Sequence, residues 1–137
     1  MKNKFSKHWK SSKQPRKQRK YRRNAPMNIL RKFLSVHLSK DLIKKYGKRN
    51  IPIRKGDKVK ISRGQFKKKT GKAEKIFLKR GKVLIEGITL TKKDGSKVPY
   101  LLQPSNLIIT ELNLEDKMRK KILELVVNKE VKGEVKK

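Results

Sequence analysis

The apolar positions of this 137-residue chain change period three times. After an aperiodic start, Met27, Leu30, Phe33 and Leu34 recur at helical spacing, with Asn24 as N-cap and Pro26 in the first turn. A second short helix is predicted from Ser39 as cap, through Leu42, Ile43 and Tyr46, to Gly47 as stop. Residues 25–49 therefore form a segment of short helices that must lean on something else, because helices this short do not persist alone. From Asn50 the period falls to two: Val59 and Ile61 take one face, Lys58, Lys60 and Ser62 the other. Ala73, Ile76 and Leu78 do not keep one phase, which predicts a bulge or bend near Glu74 and Lys75. Val83, Ile85 and, past Gly87, Leu90 make a further strand. Asp94-Gly95 marks a turn before "KVPYLL", and "SNLIITEL" is the last strand. Pro99 and Pro104 confine their segments to edges or loops. Short strands with glycine corners over 50–112 predict a mainly β fold, a small curled antiparallel barrel with short flanking helices and a basic N-terminal extension.

A C-terminal helix is predicted over 113–127, with Asn113 as N-cap and Asp116 in the capping-box position. Glu115 and Asp116 fall in its first turn and Arg119 to Lys121 later, the order that the helix dipole favours. Met118, Ile122 and Leu125 form a narrow apolar stripe. Residues 128–137 carry no signal and are expected to fray.

Charge changes the reading of everything outside the barrel. Lys and Arg number 42 against 11 Asp and Glu, a formal net charge of +31, while 34% of residues are hydrophobic. Such self-repulsion opposes compaction and calls for a strongly anionic partner. Nucleic acid fits best; a membrane does not, because there is no long apolar span and no helix with an extended apolar face. The first residues lack the apolar run of a secretory signal. There is no cysteine, and His8 and His37 stand far apart, so neither metal nor cofactor is expected. Catalytic motifs and convincing carboxylate pairs are missing, so the chain is expected to be no enzyme and to take no small-molecule substrate.

Residues 1–24 hold no acid and little apolar surface, and should be disordered alone and ordered on RNA. A solubilising tail is the bland alternative. As a binding arm, the segment offers Arg16, Lys17, Arg19, Lys20, Arg22 and Arg23 for phosphates, and Trp9 for stacking on a base. The loop "GQFKKKTG" places Lys67, Lys68 and Lys69 at a hairpin tip with Arg63, a cationic finger for an RNA groove rather than an ordinary solvated turn. Lys58, Lys60 and Lys72 on the flanking strands complete the candidate RNA-binding set. Phe66 either closes the barrel end, the preferred reading, or stacks on a flipped base. Gly56-Asp57 is a turn in which Asp57 bonds its own backbone. Gly71 is required either for a positive φ or for a close approach to another chain, unless it is an ordinary turn glycine.

Residues 53–83, with Gly56-Asp57, the alternating "KVKI", the basic loop and Gly71, resemble the KOW motif. With the flanks "SKQPRKQRKYRRNAP", "LSKDLIKKYGKR" and "DGSKVPYLLQPSNLIITELNLEDKMRKKIL", the chain from about residue 6 to 124 resembles the archaeal and eukaryotic branch of the large-subunit ribosomal L-twenty-four family. Ala73, where the family usually has valine, and Phe77, where a polar residue is common, are local departures. The resemblance implies an SH3-like barrel over 50–112. It also implies a cytoplasmic structural constituent of the large ribosomal subunit, bound to domain I of the large-subunit ribosomal RNA near its 5′ end. That protein acts early in assembly and lies near the peptide exit, with neighbouring ribosomal proteins as further partners. The alternative is a KOW-type adaptor that binds proteins or RNA reversibly.

Overall fold

The period-two stretch supplies six of the seven strands of one sheet, with helices around it. The structure, a computed structural model, describes residues 5–6 and 8–124. In chain order the elements are α1 (Pro15–Asn24), α2 (Met27–Phe33), β1 (Ser35–Leu38), α3 (Lys40–Tyr46), β2 (Asn50–Pro52) and β3 (Lys58–Ile61). There follow β4 (Thr70–Phe77), β5 (Lys82–Thr91), β6 (Lys97–Leu102), a 3-10 turn (Pro104–Asn106) and β7 (Leu107–Glu111). A last helix, α4, has its described residues at 117–124. The spatial order is β2-β1-β7-β3-β4-β5-β6.

Alternation puts the core on one face. Val36, Leu38, Val59, Ile61, Ala73, Val83, Ile85, Leu107 and Ile109 are all buried, joined by Leu34 from the end of α2 and Leu123 from α4. Burying an aliphatic side chain of this size contributes about 1.5–3 kcal/mol, so these positions supply most of the force holding a polar chain together. The loss of phase near Glu74 is real: the β4–β5 register shifts between Ala73 and Lys75. A second irregularity lies between Leu84 and Thr89, where Gly87 takes φ +76° and Ile88 turns into the core. Pro99 lies in β6, the terminal strand of the sheet, as the edge rule requires.

Three expectations are corrected. The sheet is mixed, because β1 runs parallel to β7, with His37 beside Ile108 and Leu38 beside Ile109. Residues 25–49 are not helical throughout: "SVHL" is a strand whose Val36 and Leu38 point inward, an alternation too short to stand out between two helices. Helix caps also move. Pro26, not Asn24, precedes α2. Asp116 caps α4 through its Oδ1, which accepts from the Met118 N–H at 2.8 Å, while Asn113 Oδ1 closes a turn by accepting from the Glu115 N–H. The Ser39 cap and the left-handed Gly47 stop of α3 are as predicted. Leu125 and the expected frayed tail lie outside the described residues.

Asp57 is the most constrained polar group in the molecule. Its side chain is fully buried and accepts from the Arg54 N–H (2.8 Å) and the Asn113 N–H (2.9 Å). The expected bond to its own turn is thus present, but it is the smaller part of the arrangement. Arg119, 2% exposed, forks onto both carboxylate oxygens, Nη1 to Oδ1 at 2.6 Å and Nη2 to Oδ2 at 2.8 Å. Nη1 also donates to the Asn113 carbonyl. Arg54 pairs with Asp116 beside it, so two ion pairs clamp the start of α4 to the turn before β3.

Gly71 corrects another expectation. It is not among the positive-φ glycines; it sits inside β4, where an added Cβ would lie 2.7 Å from the Glu86 carbonyl oxygen and 2.7 Å from Ile85 Cγ2. The close approach is to its own neighbour β5. Gly56 has both constraints, φ +86° and an Asn113 side chain 2.7 Å from where a Cβ would stand.

Two stability outcomes follow from this packing. Gly71→Val should destabilise the chain by roughly 1–3 kcal/mol in a denaturant melt, because β4 must move off β5; a change within a few tenths would mean that the strands part freely. Arg119→Met should cost about 3–5 kcal/mol by stranding the buried Asp57 carboxylate. In a double-mutant cycle with Asp57→Ala, the two losses should be strongly non-additive.

Candidate nucleic-acid interface

The part of the basic arm from Pro15 to Asn24 is the helix α1, although its sequence shows no apolar period. Pro15 opens α1 at its first turn, and Gln18 Nε2 donates back to the Ser12 carbonyl at 2.6 Å. At about 100° per residue, Arg16, Arg19, Lys20 and Arg23 fall on one face. All six candidate cations of the arm, Arg16, Lys17, Arg19, Lys20, Arg22 and Arg23, are exposed.

What holds this helix is an aromatic cluster that the sequence reading missed. Tyr21 stacks on Trp9 with ring centroids 4.1 Å apart, lies 4.8 Å from Phe5, and meets Phe33 of α2 edge-on at 6.2 Å. Trp9 therefore has a small core to join, and one of its ring faces is taken by Tyr21. Arg22 lies over the Phe33 ring at 5.6 Å, turned away from the Arg16–Arg23 stripe.

The lysine loop solves its own repulsion by anchoring. Phe66 is 7% exposed and belongs to the core, with Tyr100 of β6 at 5.3 Å, so packing is its role. The N–H groups of Lys67, Lys68 and Lys69 donate to Gly64, Ile61 and Phe66 carbonyls. Lys68 is the one non-glycine residue with positive φ (74°) among the described residues, a conformation held by those bonds. Lys69 Nζ sits 5.4 Å over the Phe66 ring, whereas Lys67 and Lys68 make no ion pair among the described residues. Arg63, at the loop's entry, is exposed beside Gly64.

The strands extend the positive surface. Lys58 pairs with Lys72 and Lys60 with Thr70 in the β3–β4 register, placing all three lysines on the solvent face of the sheet. Lys58 is the least available, since its Nζ donates to Glu111 Oε1 at 2.8 Å. Beyond the expected set, the β5–β6 tip exposes Lys92, Lys93 and Lys97. Its one acid, Asp94, is held below the usual carboxylate range by the Ser96 hydroxyl and N–H, so it remains charged and bound to the turn. The "KKDGSK" run carried this signal in the sequence, behind the turn motif.

Three ion pairs, Arg54–Asp116, Lys58–Glu111 and Arg119–Asp57, are the whole set among the described residues. Against a charge of +31, most cations have no protein counter-charge. Helix α1 and the lysine loop are thus two exposed cationic elements on one fold. Among the described residues, no group of three or more His, Cys, Asp or Glu side chains is placed to hold a metal ion. No helix among them is long and apolar enough to cross a membrane.

Comparison with known proteins agrees with this surface. The family model that describes the eukaryotic L-twenty-six and archaeal L-twenty-four ribosomal proteins matches residues 12–125. Large ribosomal subunit protein uL24 of Methanosphaera stadtmanae is 46% identical over 112 residues, 82% of this chain and 96% of that protein. The protein of the same name from Methanosarcina barkeri is 45% identical over 108 residues, 79% of this chain and 93% of that protein. The match spans the arm helix, the whole sheet and the Arg119 clamp alike, and on that breadth the chain belongs to this eukaryotic and archaeal family of ribosomal proteins, a family without catalytic function.

Proposed function

We propose that the chain is a structural constituent of the large ribosomal subunit, in the cytoplasm, and that it binds large-subunit ribosomal RNA. The finer placement carried by the family resemblance is part of the proposal. It comprises contact with domain I near the 5′ end, a role in stabilising that RNA early in assembly, a position near the peptide exit and neighbouring ribosomal proteins as partners. The curled sheet is proposed to close as an SH3-like barrel around the KOW unit of residues 53–83. One observation carries the reading: exposed cationic surfaces with almost no protein counter-charge among the described residues, in a chain of a ribosomal protein family.

Roles divide by geometry. Arg16, Arg19, Lys20 and Arg23 of α1 form a continuous stripe that tracks a phosphate backbone, with Lys17 on its flank and Arg22, over Phe33, turned to the other side. Lys67, Lys68 and Lys69, with Arg63, present a fixed loop whose rigidity lowers the entropy lost on contact. Lys60 and Lys72 widen the sheet face, and Lys58 contributes less while Glu111 holds it. Trp9 offers a base only the ring face that Tyr21 leaves open. Gly56, Asp57 and Gly71 shape the turns and strands that aim these groups. A reversible adaptor would instead leave the subunit when it is washed with salt; a constituent stays at one copy per subunit, which gradient fractionation with mass spectrometry reads directly.

Two measurements test the assignments. Changing Lys67, Lys68 and Lys69 together to Gln should lower the slope of log affinity against log salt by about 2, at roughly 0.7–0.9 per phosphate contact. The melting temperature should hold or rise slightly as like-charge repulsion is removed. An unchanged slope with earlier melting would make the lysines structural. Second, α1 is short and self-repelling, so its helix should be only partly populated in the free protein and become fully formed on RNA. Amide NMR of Arg16 to Arg23 with and without an rRNA fragment follows this, and rigid, dispersed signals in the free protein would count against it.

A further inference from the structure

A concavity lies away from both the arm stripe and the lysine loop. A groove of about 680 Å³ opens between α2, the connection from α3 to β2, and α4. Arg31 and Lys32 reach it from α2, Lys48 and Arg49 from the connection, and Arg54 from beyond β2, with no acidic residue in the lining among the described residues. Ile51 and Pro52 form an apolar side, and Ile122 of α4, 46% exposed, faces the same space. Lys48 Nζ donates to the Ile122 carbonyl at 3.3 Å, tying the two walls together.

Arg119 lines the groove, but its guanidinium is committed to Asp57 and the Asn113 carbonyl, and its Nε, which has no hydrogen-bond partner among the described residues, is itself buried, so the groove's available cations are the others. Burial and the charges of Arg31 and Arg119 lower the pKa of Arg54 from its ordinary value, Asp57 acts the other way, and Asp116 already pairs with it. Arg31 and Arg49 make no ion pair among the described residues.

We propose that the groove seats one unpaired RNA nucleotide, its phosphate at Arg31 and Arg49, beside the Arg54–Asp116 pair, and its base against Ile51, Pro52 and Ile122. The proposal rests on the RNA-binding reading and adds a site to it. Size favours a nucleotide over a protein segment: the volume falls in the range of about 300–1,000 Å³ for small-molecule sites, whereas a specific protein partner covers roughly 800 Å² per side. The lining favours it too, because an acidic peptide has no use for an apolar wall beside the arginines, while a base does.

The test is a side-chain NMR titration of the full-length chain with adenosine monophosphate, inorganic phosphate and a hexaglutamate peptide, alongside binding of a large-subunit rRNA fragment. Adenosine monophosphate is expected to move the Ile51 and Ile122 methyl signals and the Arg31 guanidinium; phosphate alone should move only the guanidinium. Ile122→Ser should weaken adenosine monophosphate several-fold and leave phosphate unaffected. Arg31→Gln with Arg49→Gln should lower the salt slope of rRNA binding by about 0.7–0.9 for each lost contact. These replaced side chains are solvent-facing, and unchanged melting temperatures keep the comparison free of unfolding. If adenosine monophosphate leaves the methyl signals still while the fragment binds, the groove proposal fails and the RNA reading stands. If the fragment does not bind either, the RNA reading itself fails. Tighter binding of hexaglutamate would assign the groove to a protein partner, and methyl shifts seen only after deletion of residues 125–137 would assign it to the chain's own tail.

Discussion

The bidentate pair between Asp57 and Arg119 joins parts of the chain 62 residues apart, and the placing of α4 against the turn before β3 depends on it. A carboxylate with no exposure is costly unless every lone pair is used, and Asp57 commits its oxygens to one guanidinium and two backbone N–H groups. Geometry follows from that requirement. The turn at Arg54 to Asp57 must be tight, α4 must begin where Arg119 can reach inward, and Asn113 must lie over Gly56. Removal of a single partner leaves a charge without solvent, so the arrangement is kept whole or lost whole.

That clamp explains how a chain with so little apolar content supports so much like charge. Repulsion acts between exposed groups through water, where it is weak and screened, while the core and the buried pair act where they are strong. Each cationic element also has its own local anchor: Phe66 under the lysine loop, and Tyr21 between Trp9 and Phe33 under the arm helix. The positive surface is therefore held in place by aromatic rings more than by ion pairs.

Much of the sheet was legible because alternation is a strong signal wherever one face is buried. Val59 and Ile61, the β4 bulge, the Asp94-Gly95 turn and the edge position of Pro99 all followed from it. What was hidden depended on partners distant in sequence. Arg119 looked like an ordinary charge in the last part of a helix, since nothing near it in the chain announces Asp57. The strand "SVHL" was lost between two helices, and its parallel partner β7 comes at the far end of the sheet-forming sequence, beyond any local pattern. Trp9 and Tyr21 lacked a visible period because aromatics from separate segments make that cluster, not one face of one helix. Gly71 was recognised as special, but the reason, the Glu86 carbonyl of the next strand, belongs to register and not to composition.

The outer edge of β6 has a consequence for handling the protein. Val98 and Tyr100 are exposed there on a terminal strand, the kind of edge on which neighbouring molecules can zip together. Pro99 withholds one donor from any such ladder, and mutual repulsion between molecules of charge +31 keeps the edges apart. Salt near 1 M shortens the screening length to about 3 Å and removes that second protection. The free protein is thus colloidally safest in dilute buffer, and the salt used to strip it from nucleic acid is also the condition under which its bare edge can pair.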